Sequence, residues 1–197
     1  MKFLFDLGGI FFNWDPYHYY KDKFSSKNEL NYFLNNVCND DWNYKQDAGR
    51  LISEAELDLI SKFPKYTKQI KLYYPNHRKM IKNIFKESVE QLEELKSNNF
   101  LCYALSNWSS ETFIGMTDDY DFLNKFDGMI ISGNEKLVKP NKEIYNLAIK
   151  RFNLVPNQTV FIDDKLENIR PAKLLGFNVI HLEDPRLIKQ KIRKYIS

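Results

Sequence analysis

Short apolar runs recur along the chain at Phe3–Phe5, Phe100–Leu105, Gly128–Ser132, Thr159–Ile162 and Asn178–Leu182. Runs of this length with little polar alternation predict strands buried on both faces. Between them the spacing changes to three or four residues. Ile81, Ile84, Phe85, Val89, Leu92 and Leu95 predict one long amphipathic helix over Lys79–Asn98. Ile144, Leu147, Ala148 and Ile149 predict another over Lys142–Phe152. A further helix over Ile169–Leu175 ends at Gly176, a good residue for the turn after a helix. Leu187–Ile196 predicts a terminal helix, and Thr112–Phe126 is helical for part of its length. Strands alternating with helices predict an α/β fold, a Rossmann-like doubly wound parallel sheet with right-handed crossovers.

One stretch interrupts this alternation. From Tyr17 to about Pro75 the pattern is helical and no strand is evident. Ser26-Lys-Asn-Glu29 and Ser53-Glu-Ala-Glu56 both fit the capping box of a helix start, and apolar residues follow each at helical spacing. Residues 15–79 are therefore expected to form a helical module inserted after the first strand, with residues 1–14 and 80–197 forming the α/β core.

Composition narrows the function class. The net charge of +3 is small and spread along the chain, so nothing favours nucleic acid or an anionic membrane as partner. No apolar run approaches the ~20 residues of a membrane span. Asp6 interrupts the apolar N-terminus, and no basic segment or small-residue cleavage site accompanies it, so it is not read as a signal peptide. Cys38 and Cys102 form no C-x-x-C pair and fit reduced thiols of a cytoplasmic protein. His18, His77 and His181 share no zinc-ligand spacing. Trp14, Trp42 and Trp108 are expected as core or interface residues rather than sugar platforms.

The chemistry sits at the ends of the predicted strands. Phe3–Phe5 ends in Asp6, followed by Gly8 and Gly9; Phe100–Leu105 ends in Ser106 and Asn107; Thr159–Ile162 ends in Asp163 and Asp164. Lys139 precedes the helix that begins near Lys142. Each has an ordinary alternative: a surface turn, a helix cap, an exposed loop lysine. Their joint placement argues otherwise, because ligands of open α/β sheets bind at the carboxyl ends of the strands. Carboxylates, a hydroxyl, an amide and one ammonium at such a place can hold a divalent cation and a phosphate together.

These stations resemble the haloacid dehalogenase-like (HAD) hydrolase superfamily. The motifs are Phe5-Asp6-Leu7-Gly8-Gly9-Ile10, Leu105-Ser106-Asn107, Lys139-Pro140 and Phe161-Ile162-Asp163-Asp164, with Asn168 following. The segments 46–50, 105–112 and 132–140 are similar to the bacterial sugar-phosphatase-like branch near α-D-glucose-1-phosphate phosphatase. The resemblance implies a phosphatase that forms an aspartyl-phosphate on Asp6. It implies Mg²⁺ held by Asp6, the Gly8 carbonyl, Asp164 and, directly or through water, Asp163. It also implies a phosphate site at Gly8, Gly9, Ser106, Asn107 and Lys139, with Asp47 and Arg50 of the helical cap selecting a small phosphorylated metabolite, a sugar phosphate foremost. The oligomeric state is left open.

One position departs from the superfamily pattern. Most of its phosphatases carry a second Asp two residues after the nucleophile as general acid; here that residue is Gly8. General acid help contributes ~10²–10⁴-fold. Three readings stay open: a substrate with a better leaving group, an acid from the cap or from water, or a reaction needing no acid, as in the 2-haloacid dehalogenases. The Asp163-Asp164 pair argues against the last, because those enzymes use no metal. A phosphate-binding regulatory protein without turnover is the non-enzyme alternative.

Overall fold

The computed structural model describes residues 1–196. Among the described residues seven strands form two sheets. They are β1 (Lys2–Phe5), β2 (Phe12–Trp14), β3 (Ile81–Ile84), β4 (Leu101–Ser106), β5 (Gly128–Ile131), β6 (Thr159–Asp163) and β7 (Asn178–His181). Five of them make a parallel sheet in the order β5-β4-β1-β6-β7. The helices are α1 (Pro16–Tyr20), α2 (Lys27–Tyr32), α3 (Asp40–Asp47), α4 (Ile52–Lys62), α5 (Thr67–Leu72), α6 (Lys86–Ser97), α7 (Ser110–Phe113), α8 (Met116–Asp119), α9 (Ser132–Glu135), α10 (Lys142–Arg151), α11 (Leu166–Leu174) and α12 (Ile188–Ile192).

The parallel sheet explains why its strands read as nearly continuous apolar runs. Phe3 and Phe5 of β1 face one layer with Cys102, Ala104, Val160 and Ile162, packed by Leu92 and Leu95 of α6 and Ile188 and Ile192 of α12. Leu4 faces the other layer with Tyr103, Leu105 and Phe161, packed by Ile144 and Tyr145 of α10 and Ile169 of α11. Both faces are thus covered, and the two-residue period of a strand divides its side chains between them. Strand order reverses about β1, whose neighbours are β4 and β6, so a crevice opens at the carboxyl ends there.

A separate apolar cluster lies in the helical stretch. Tyr20, Phe33, Trp42, Tyr66, Tyr73 and Tyr74 pack with Leu30, Leu59, Ile70 and Met80. Much of the chain's aromatic content is spent here, where short helices need large side chains to close a core.

Three local expectations are corrected. The predicted helix over Lys79–Asn98 begins only at Lys86. Residues 81–84 instead form β3, antiparallel to β2, with Phe12 opposite Ile84 and Trp14 opposite Ile81. The three-residue spacing of Ile81 and Ile84 suits a helix equally well; the decision falls to β2, which supplies backbone partners to a β-branched stretch. The two connections to the helical stretch therefore run side by side. Next, α4 starts at Ile52 rather than after Ser53, and the Ile52 amide donates to Glu111 Oε1 at 2.8 Å. A carboxylate distant in sequence caps this helix. Finally, the terminal helix is confined to Ile188–Ile192, with 3₁₀ turns on either side. No described helix is long and apolar enough to cross a membrane.

Candidate active site

Asp6 follows β1 directly and is 7% exposed. Its backbone amide donates to the Ile162 carbonyl of β6, which locks the residue to the sheet edge. Its Oδ1 accepts from the Leu7 amide (2.7 Å) and from Lys139 Nζ (2.9 Å). No hydrogen bond to Oδ2 is present among the described residues, so this oxygen is available to the cavity. Burial raises the Asp6 pKa; Lys139 pulls it back and Asp163 pushes it further up.

Asp163 closes β6 and is fully buried. Its Oδ2 accepts from Lys139 Nζ at 2.7 Å, its Oδ1 from the Lys165 amide at 2.8 Å, and both from Asn168 Nδ2 at 3.0 Å. Tyr145 donates to the Asn168 carbonyl and holds that residue in turn. Asp164 is different. It faces the cavity, and its Oδ1 is buried without a hydrogen-bond partner among the described residues. Burial, then Asp6 and Asp163, push its pKa up to about 7.

Oxygens of Asp6, Asp163 and Asp164 all lie within 4.8 Å of one another. One ammonium, Lys139, pairs with two of these three carboxylates, and an oxygen of the third, Asp164, is unsatisfied. An all-oxygen set short of positive charge fits a hard divalent cation such as Mg²⁺.

Lys139 is 1% exposed, although loop lysines are ordinarily solvated. Asn107 explains its position: Asn107 Oδ1 accepts from the Lys139 amide (2.9 Å), and Asn107 Nδ2 donates to the Lys139 carbonyl (2.8 Å). The phosphate role expected at Asn107 falls to the backbone amides of that turn, and its side chain, committed to clamping Lys139, leaves them free for it. Ser106 ends β4 with its hydroxyl buried and without a hydrogen-bond partner among the described residues.

Gly8 and Gly9 both line the cavity. Gly9 has φ +69°, and a Cβ there would overlap the Asp164 carboxylate. Gly9→Ala is therefore expected to cost about 1–2 kcal/mol from the left-handed backbone alone. It should also displace Asp164, seen as weaker Mg²⁺ binding by calorimetry; unchanged affinity would refute the contact.

The cavity, of about 740 Å³, opens between the sheet's carboxyl edge and the helical stretch. Asp47 lines it, and burial pushes its pKa up to about 7. Arg50 is not brought to the cavity. Its guanidinium bonds Asp58 Oδ2 (3.1 Å) and the Glu54 carbonyl (3.3 Å) instead, an ion pair within α4's neighbourhood.

Several lining residues escaped sequence reasoning. Tyr44 and His77 line the cavity. His77 packs against Trp14 and Trp108, at ring-centroid distances of 5.3 and 5.5 Å, and those two tryptophans also line it. Trp42 alone of the three tryptophans stays wholly in the helical cluster. Burial pushes the His77 pKa down to about 4, so the ring is neutral near pH 7. No spacing in the sequence marks these residues. Ser132 did carry a signal, since it too follows an apolar strand. Its buried hydroxyl accepts from the Trp108 amide (2.9 Å) and donates to the Asp47 carbonyl (2.6 Å).

The chain is similar to known proteins in both sequence and fold. The chain is 25% identical to a sesquiterpene phosphatase of Aspergillus oryzae, an alignment covering 98% of this chain and 95% of that protein. In fold it is similar to a HAD-like hydrolase from Porphyromonas gingivalis (TM-score 0.73, 20% identity, 100% and 98% of the chains). It is also similar to a HAD family enzyme from Bacteroides thetaiotaomicron solved with magnesium and inorganic phosphate (TM-score 0.68, 22% identity, 91% and 92%). The sequence model for haloacid dehalogenase-like hydrolases matches residues 26–182, well over half of the sequence. With that match, the chain belongs to the haloacid dehalogenase-like hydrolase family, and it is a hydrolase of the α/β Rossmann-like kind.

Proposed function

We propose that this protein is a divalent-cation-dependent phosphatase that cleaves the phosphate monoester of a small metabolite through a phosphorylated Asp6. The observation that carries the reading is the cluster of Asp6, Asp163 and Asp164 beside a buried Lys139. Asp6 Oδ2 is the attacking oxygen, because Oδ1 is occupied by Leu7 and Lys139. Ser106 and the backbone about Asn107 bind phosphate oxygens, and the Lys139 ammonium offsets the charge of the approaching dianion. Asp6, the Gly8 carbonyl and Asp164 would hold Mg²⁺, with Asp163 tied to Lys139 and Asn168 and reached through water. A bound cation supplies charge neutralisation between carboxylate and phosphate. A metal-free displacement of halide would leave the unsatisfied Asp164 oxygen without a purpose.

Residues 15–79 act as a cap that closes the cavity and chooses the leaving group. Trp14 and Trp108 present aromatic surface, while Asp15, Asp40 and Asn43 present polar groups at the rim. Such a lining suits a polyhydroxylated leaving group, and a sugar phosphate is the substrate class we favour. Buried, free Cys38 and Cys102 accord with a reducing, cytoplasmic setting.

The test is hydrolysis of a panel of sugar and isoprenyl phosphates in Mg²⁺ and in chelator, with thermal unfolding alongside. Turnover should require the metal. At a hundred times its Kd a cation stabilises by about 2.7 kcal/mol, roughly 5–11 °C for a chain of this size. The shift should be larger at pH 8 than at pH 5. The Asp164 pKa is raised in the folded state, so the folded protein binds more protons than the unfolded chain between about 4 and 7. Metal-free stability therefore falls as pH rises through that window, and the cation restores it. Activity indifferent to chelation, with no thermal shift, would sink the metal role. Preference for isoprenyl esters would replace the sugar-phosphate reading.

A further inference from the structure

Cleaving an alkyl phosphate ester leaves an alkoxide, which needs a proton as the P–O bond breaks. Few groups around the cavity can supply it. Asp6 is the nucleophile, Asp163 is locked by Lys139 and Asn168, and Asp164 belongs to the cation cluster. His77 is neutral near pH 7, and a neutral imidazole is a very weak acid. Asp15, Asp40, Asp41 and Glu167 are exposed to solvent at the rim rather than enclosed in the cavity. Gly8 has no side chain, and nothing lies within 4 Å of where its Cβ would be. The space beside Gly8 is open, and Gly8 lines the same cavity as Asp6.

Asp47, at the end of α3, lines this cavity from the helical stretch, and the way it is held is unusual for a residue at the end of a helix. Its carbonyl accepts from Ser132, beyond β5, at 2.6 Å. Its carboxylate accepts from Asn43 Nδ2 at 3.2 Å. The following turn is pressed onto the sheet's loops. Gly49 has φ +93°, and a Cβ there would come within 2.8 Å of Lys136 Cγ and 3.1 Å of the Gly133 carbonyl. The helical stretch holds the carboxylate through Asn43, the loops of the sheet hold the Asp47 backbone through Ser132, and together they set the residue on the cavity wall.

We propose that Asp47 is the proton donor to the leaving oxygen, reaching the reaction from the helical cap rather than from the strand that carries the nucleophile. This rests on the phosphatase reading. Asp6 Oδ2 forms a bond to phosphorus, the bond from phosphorus to the leaving oxygen breaks, and that oxygen takes the Asp47 proton. The Asp47 carboxylate then accepts a proton from the water that attacks phosphorus. The bond between phosphorus and Asp6 breaks with its electron pair returning to Asp6, and inorganic phosphate departs. The cycle closes with both residues restored. Charge supports the assignment: burial and Asp6 raise the Asp47 pKa and Lys165 lowers it, leaving it at about 7, and Tyr44 and Tyr74 face it as neutral phenols.

The experiment compares two leaving groups in the full-length protein with Mg²⁺. An alkyl phosphate such as glycerol phosphate needs the proton; 2,4-dinitrophenyl phosphate does not. Asp47→Asn should lower kcat/KM for the alkyl ester by about 10²–10³-fold and for the dinitrophenyl ester by less than about 5-fold. Asp47→Glu, which restores a carboxyl, should recover part of the alkyl activity and controls for folding along with thermal unfolding. Equal losses on the two esters would show that Asp47 only positions the cap and would overturn the proton-donor role while leaving the phosphatase reading intact. A wild-type protein unable to hydrolyse even the dinitrophenyl ester would overturn both.

Discussion

Asp6→Asn is expected to abolish phosphate release, by at least about 10⁴-fold, while the protein stays folded. Losing a covalent nucleophile removes the reaction path itself, and comparable deletions elsewhere reach about 10⁶-fold. The fold should survive because both hydrogen bonds to this carboxylate end on Oδ1. An asparagine Oδ1 can keep accepting from the Leu7 amide and Lys139. Only the free oxygen changes, from Oδ2 to an amide nitrogen that cannot attack phosphorus. The substitution also removes one of three clustered carboxylates, which offsets the weaker bond to Lys139. Phosphate release and the unfolding midpoint should be read on the same preparation. A stable Asp6→Asn variant retaining a hundredth of wild-type turnover would show that another group makes the bond.

Lys139→Met should do more damage to the fold than any other single substitution at the site. The lysine is wholly buried, 2.7 Å from Asp163 and 2.9 Å from Asp6. Burial alone would lower its pKa, but the Asp163 and Asp6 carboxylates outweigh that and hold it above the ordinary lysine value. The ion-pair contribution is thus fully present at neutral pH and is lost only in strong alkali, as pH rises through the folded-state pKa. Removing the ammonium leaves two buried carboxylates facing each other. Breaking a buried pair in this way costs about 3–5 kcal/mol, or roughly 6–20 °C in unfolding midpoint for a chain of this size. Mg²⁺ should return part of the loss, since it supplies charge to the same carboxylates. A midpoint within 2 °C of wild type, with or without Mg²⁺, would mean that the Lys139 pairs contribute nothing net.

The core was legible because burial on both faces leaves a direct trace in sequence. Each strand of the parallel sheet reads as an apolar run, and each reactive side chain stands where a run stops: Asp6, Ser106, Asp163 and Asp164. Covalent adjacency alone carries them to one edge once the strands are parallel and in register. Local chemistry was less reliable where two structures suit one pattern. Ile81 and Ile84 fit a helix or a ribbon equally, and only pairing with Phe12 and Trp14 decided between them. Ser53 looked like a cap, yet the start of α4 is satisfied by Glu111, fifty-nine residues away.

By itself, then, the sequence determined the α/β layering, the strand ends that carry the carboxylates and the family to which they point. These follow from periodicity and from neighbours along the chain. The tertiary structure alone decided which charges meet. It buried Lys139 through the clamp of Asn107, left one Asp164 oxygen unsatisfied, turned Arg50 toward Asp58, and set Asp47 on the cavity wall with its carbonyl held by Ser132. The physical reason is that desolvation and ion pairing depend on distances between residues far apart in the chain. No local pattern of residue types encodes those distances.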